Sequence, residues 1–85
     1  MRLFGPQIRA ARVLLGWSQA ELANSAAVGI ATVQRFESQD GVLRGTSKTI
    51  WKIQAVLEKA GILFIDANES NGPGVRLSKP IPPDR

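Results

Sequence analysis

Trp17-Ser18-Gln19-Ala20-Glu21-Leu22-Ala23 decides how the rest of the chain is read. Ser18 and Glu21 stand three positions apart ahead of an apolar residue, which is the spacing of a capping box. The Ser18 hydroxyl can accept from the Glu21 amide while the Glu21 carboxylate accepts from the Ser18 amide. Trp17 before the cap and Leu22 inside the helix are placed as a hydrophobic staple. A helix therefore starts at Gln19 and runs to about Ser25, followed by a short Ala26-Ala27-Val28 connection.

Working outward, Gly29 can cap a third short helix from Ile30 to Glu37, with Val33 and Phe36 facing inward and Ile30, Ala31, Gln34 and Arg35 on other faces. Upstream, Pro6 suits a first helical position and Ile8, Ala11 and Leu15 recur at helical spacing, so the first helix covers about 6–15 and stops at Gly16. Downstream, Ser38–Gly45 has turn chemistry. Thr46 or Ser47 then caps a fourth helix carrying Ile50, Ile53 and Leu57, with Lys59 in its last turn and Gly61 ending it. Beyond that glycine the period changes. Ile62-Leu63-Phe64-Ile65 and Val75-Arg76-Leu77 read as two strands of a hairpin joined by the loop Asp66–Gly74. From Lys79 three prolines in seven residues predict a disordered or extended tail.

The expected architecture is mainly α. It has a four-helix core over residues 1–60 containing a helix-turn-helix, a short C-terminal β-hairpin over 61–78, and a tail over 79–85.

Composition narrows the function. With 85 residues the chain holds one domain. It has no cysteine and no histidine, which removes thiolate chemistry, sulfur-ligated metals and the commonest general base. No metal, no cofactor and no enzymatic activity are expected. Eleven Lys+Arg against seven Asp+Glu give a formal charge of +4, which favours an anionic partner. No apolar run is long enough to span a membrane, and no signal-peptide core precedes Pro6 and Arg9, so a cytoplasmic location is expected. Gly41-x-x-x-Gly45-Thr46-Ser47-Lys48 lacks the lysine placement and preceding strand of a phosphate loop. Asn68-Glu69-Ser70 fits a glycosylation sequon without a secretory context.

Ser18-Gln19-x-Glu21-Leu22-Ala23, Val28, Thr32-Val33 and Arg35-Phe36-Glu37 together resemble the Cro/phage-repressor (XRE-type) helix-turn-helix family, over about residues 8–60. Gly61–Ile65 followed by Gly72-Pro73-Gly74-Val75-Arg76-Leu77 resembles the tail of a subgroup of small bacterial regulators. Two departures concern the turn. Ala27 stands where the family usually has glycine, and Gly29 where it often has serine or threonine. Alanine costs roughly 1 kcal/mol if the backbone there is left-handed.

The resemblance implies a sequence-specific regulator of transcription, most simply a dimeric repressor associated with the nucleoid, whose helix 30–37 enters the major groove of duplex DNA. The residue chemistry suits that role. Gln34 can pair with adenine, Arg35 with guanine, and Ile30 or Ala31 can meet a thymine methyl. Gly29 opens that helix, and Thr32 is a candidate phosphate donor. Gln19 either touches a phosphate, braces the recognition helix or merely favours helix initiation. Arg44 and Lys48 are phosphate contacts or ordinary surface cations; without the motif Gln34 and Arg35 would read as a solvated face, and with it they read as base contacts. Family likeness further implies that Arg12 and Glu37 pair across the core, and a glutamate at a helix C-terminus needs such a cation.

Four consecutive apolar residues at 62–65 leave one hairpin face needing cover. A second copy can supply it, with Trp51, Phe64 and Ile65 at a homodimer contact; alternatively the hairpin folds only on its own helix four. The competing functional class is a protein-interaction module, such as an antitoxin or accessory subunit with a protein partner.

Overall fold

The computed structural model describes residues 2–80. Four helices, α1 (Gly5–Leu14), α2 (Gln19–Ala26), α3 (Ile30–Glu37) and α4 (Ser47–Lys59), precede two strands, β1 (Ile62–Ile65) and β2 (Gly74–Leu77). The expected mainly-α fold with a C-terminal hairpin is what forms. The tail expected from Lys79 onward lies, past Pro80, outside the described residues.

Each boundary has a local cause. The capping box at α2 is complete: Glu21 N donates to Ser18 Oγ at 3.0 Å and Ser18 N to Glu21 Oε1 at 2.9 Å. Thr46 caps α4 by accepting from Thr49 N at 3.2 Å. Helix α1 begins one residue earlier than its proline suggests, because Phe4 N finds an acceptor in Gln7 Oε1 at 2.9 Å. It ends one residue earlier as well, with Leu15 as C-cap and Gly16 in the left-handed conformation at φ 71°. Helix α2 continues through Ala26, so the connection to α3 is Ala27-Val28-Gly29, shifted one residue from the expected span. Ala27 adopts φ 56° and ψ 46°, the left-handed geometry that alanine tolerates poorly.

The core is built from Ile8, Ala11, Leu22, Ala23, Ala26, Val33, Phe36, Ile53 and Leu57, joined by Leu3, Leu43, Ile62 and Phe64. Phe36, Ile8, Leu22, Ile53, Leu57 and Val33 are fully buried, and each such side chain stabilises the fold by about 1.5–3 kcal/mol. Trp17 and Val28 are half-buried and pack against this cluster. Gly5 marks the closest approach. A Cβ there would collide with Gln39 O and lie 2.6 Å from Phe36 O, so α1 can press its first turn on the end of α3 only as glycine.

The strands pair antiparallel in the register Ile62↔Leu77, Leu63↔Arg76, Phe64↔Val75 and Ile65↔Gly74. Alternation along β1 buries Ile62 and Phe64 and exposes Leu63 and Ile65. Phe64, expected at a contact between copies, is only 5% exposed and belongs to the core of its own chain. The hairpin thus folds on its own helices with one face and leaves the other outward.

Candidate nucleic-acid interface

Helix α3 divides cleanly by burial. Val33, Phe36 and Glu37 face inward, while Ile30, Ala31, Gln34 and Arg35 are exposed and Thr32 is half-buried. Gly29 caps the helix with extended backbone and no side-chain hydrogen bond, leaving the first-turn amides without a side-chain cap. The Arg35 guanidinium lies over the Phe36 ring, 5.3 Å from its centroid, a cation–π contact made by the charged tip within its own helix.

What holds this helix is a polar cluster reaching from α1 and α2. Arg12 Nε donates to Glu37 Oε2 at 2.7 Å and Arg12 Nη2 to Glu37 Oε1 at 3.0 Å. This is a two-point ion pair of the kind planar guanidinium favours. The Glu37 side chain is 5% exposed and that of Arg12 17%, so the pair is partly buried. Arg12 Nη1 also donates to Trp17 O at 2.8 Å, tying the same guanidinium to the α1–α2 corner. Hydrogen bonding to Glu37 raises the Arg12 guanidinium above the ordinary arginine range, against the opposing effect of its burial.

Gln19 joins the cluster, with Nε2 donating to Glu37 Oε1 at 3.2 Å. It therefore braces α3 from the first turn of α2. Arg9, whose sequence position carries no signal for this role, donates from Nη2 to Glu37 O at 3.1 Å and so places a cation on the C-terminal end of α3. Arg9, Arg12, Gln19, Gln34, Glu37 and Ser38 line a cleft of about 300 Å³. Gln34 and Gln19 thus share one surface with an exposed arginine, whereas Ile30 and Ala31 lie toward the other end of α3.

Arg44 and Lys48 are both exposed, on the α3–α4 loop and the first turn of α4. Gln39 fixes that loop: its Oε1 accepts from Arg44 N at 2.8 Å and its Nε2 donates to Arg44 O at 3.3 Å. Trp51 is 66% exposed on α4, separate from the cleft, and Ile65 is 41% exposed on the outer hairpin face.

Gln7 is the polar residue that pattern reading missed. It is buried, and its Nε2 donates to Gly74 O at 3.0 Å and Ile65 O at 3.3 Å, so α1 holds both strands of the hairpin. Its position was legible as one turn before Ala11 on the inward stripe. Among the described residues no group of His, Cys, Asp or Glu is arranged to hold a metal ion, and no helix is long and apolar enough to cross a membrane. No family model and no curated protein matches the chain.

Proposed function

We propose that this protein is a non-enzymatic, sequence-specific duplex-DNA-binding regulator of transcription, acting in the cytoplasm as a dimeric repressor that reads the major groove with α3. The observation carrying the reading is the division of α3: a buried face locked by Arg12–Glu37 and an exposed face bearing Gln34 and Arg35. Side chains that read bases must project from a rigid element, and Gln34 and Arg35 carry the hydrogen-bonding forks suited to adenine and guanine edges. Arg44 in the α3–α4 loop and Lys48 in the first turn of α4 are the exposed cations available for phosphates, with Thr32 and the uncapped amides after Gly29 as neutral donors.

The dimer would form through the outward hairpin face of Leu63 and Ile65, with Trp51 as a second exposed apolar anchor. Two-fold symmetry would set the two copies of α3 one DNA turn, roughly 34 Å, apart. The exposure of Trp51 also favours the second reading, a module whose main partner is another protein.

Selection of bound sequences from random duplex DNA tests the first reading. The expected result is a near-palindromic consensus whose enrichment disappears in the Gln34→Ala/Arg35→Ala double variant. A folded wild-type chain that enriches no sequence, or a double variant that enriches the same one, overturns it.

A further inference from the structure

The geometry points to Asn71–Gly72 as a self-modifying site, at which the chain converts its own asparagine to aspartate and isoaspartate through a cyclic imide. The chain has three asparagines, and their surroundings differ in the respects that govern this reaction. Asn24 lies inside α2, where the helical ladder engages the following amide and fixes the backbone. Asn68 is held by its own turn, its Oδ1 accepting from Ser70 N and Asn71 N at 2.8 Å each, and a glutamate follows it. Asn71 is exposed in the loop between β1 and β2, and its side-chain amide has no hydrogen-bond partner among the described residues.

Gly72 supplies the nucleophile. Its main-chain N–H is engaged by no backbone or side-chain acceptor among the described residues. A Cβ at Gly72 would meet nothing within 4 Å, so the space beside its Cα is open. Glycine also imposes the least steric resistance to bringing its nitrogen onto the neighbouring side chain. The steps balance without a co-reactant other than water. The Gly72 nitrogen, having lost its proton to solvent, attacks Asn71 Cγ, the Cγ–Nδ2 bond breaks, and ammonia leaves. Water then opens the five-membered imide at either carbonyl, giving aspartate or, with the main chain rerouted through the side chain, isoaspartate.

The fold anchors Asn71 by its main chain, with Asn68 N donating to Asn71 O at 2.8 Å, while leaving the side chain and the following amide unrestrained. The product forms three residues before Gly74, whose carbonyl accepts from Gln7 Nε2. Conversion adds a carboxylate to a loop that already carries Asp66 and Glu69, and lowers the formal charge of +4 by one. The isoaspartyl form lengthens the main chain within the β1–β2 connection.

Incubation of the full chain in mildly alkaline buffer, followed by peptide mapping with fragmentation and isoaspartyl-specific methyl labelling, tests the proposal. The expected result is conversion at Asn71 ahead of Asn68 and Asn24, at a rate matching a synthetic peptide of residues 66–74. Gly72→Ala should slow it severalfold, and Asn71→Gln should abolish the label. Conversion at Asn68 as fast as at Asn71, or a folded chain lagging the peptide severalfold, overturns it. Circular dichroism of each variant confirms that the comparison is made between folded chains.

Discussion

Arg12 and Glu37 meet through two hydrogen bonds, 2.7 and 3.0 Å long, that join the last turn of α1 to the last turn of α3. An acid at a helix C-terminus opposes the macrodipole, and here two arginines from α1 offset it, Arg12 on the carboxylate and Arg9 on the main-chain carbonyl. Arg12→Ala leaves a carboxylate almost sealed from water with only Gln19 as a neutral side-chain donor. The expected loss is about 3 kcal/mol, the low end for breaking a buried pair because Arg12 keeps some solvent contact. Chemical denaturation checks it, and an Arg12→Met/Glu37→Met double variant should recover part of the loss. Unchanged stability in Arg12→Ala would mean that the pair contributes nothing net.

The same pair has a defined pH signature. Because the Arg12 guanidinium is raised, its contribution is fully present below the ordinary arginine range and is lost only as pH rises through the still higher folded value. Neutral to moderately alkaline titration should therefore show no loss of stability from this residue. Comparing wild type with Arg12→Met across that range isolates the contribution, and the difference between them should stay constant.

Gln7→Leu should act locally. It removes the donors to Ile65 O and Gly74 O and the acceptor for Phe4 N, leaving partly buried main-chain groups unpaired at about 1 kcal/mol each, the low end of the buried range. Amide exchange should rise first in β1, β2 and the first turn of α1, with α2 and α3 following only at global unfolding. Equal acceleration in all elements would show that the hairpin has no separate latch.

Ser18 and Glu21 made α2 legible, because a capping box couples residue type and spacing directly to a pair of hydrogen bonds. Val33 and Phe36 were legible as the inward face of α3 by the same directness, since a short amphipathic helix has one way to bury them. Gln7 was not. Periodicity marks which positions face inward, and a glutamine there looks like a surface residue until the strand ends that need its amide are in place. Phe64 was misassigned for a related reason. A run of four apolar residues obscures the two-residue alternation, and only packing against the helices shows that Ile62 and Phe64 are the inward pair. The pairing of residues 3 and 4 with 42 and 43, through Leu43 N on Leu3 O at 2.8 Å and the Phe4–Val42 bridge, had no local signal because it joins segments outside every periodic element.

Ala27→Gly should stabilise the protein. Ala27 is exposed and left-handed, so the change relieves a strained backbone and removes no buried methyl. The gain expected is about 1 kcal/mol, reduced somewhat by the greater freedom of glycine in the unfolded chain. For a domain of this size that is a rise in melting temperature of about 4–8 °C. Ala27→Val should move it the other way, since a β-branched residue resists positive φ more strongly.

Arg35→Ala and Arg44→Ala separate base reading from phosphate contact under the DNA-binding proposal. Arg35→Ala should cost about 1–3 kcal/mol on the preferred sequence and relax selectivity at one position. Arg44→Ala should weaken all sequences alike and reduce the salt slope by about one. For a dimer with about 6–10 phosphate contacts, affinity should fall some 10³–10⁵-fold between roughly 50 and 200 mM salt. A salt-independent affinity would remove the phosphate contacts from the account.

Leu63 and Ile65 test the dimer more cleanly than deletion of the hairpin does. Removing residues after Gly61 would strip Ile62 and Phe64 from the core, so a truncated chain would report instability as well as any lost interface. Leu63 is 50% exposed and Ile65 41%, and both point away from the helices, so Leu63→Lys/Ile65→Lys changes the outer face and spares the inner one. Two lysines also place like charges beside Arg76, the cross-strand partner of Leu63, which opposes a second copy docking there. The double variant should keep its melting transition within about 1 kcal/mol of wild type, as surface changes usually do. It should sediment as a monomer and bind a two-half-site duplex no better than a single half-site. A variant that still sediments as a dimer moves the contact to Trp51, and Trp51→Lys then becomes the substitution that separates the copies.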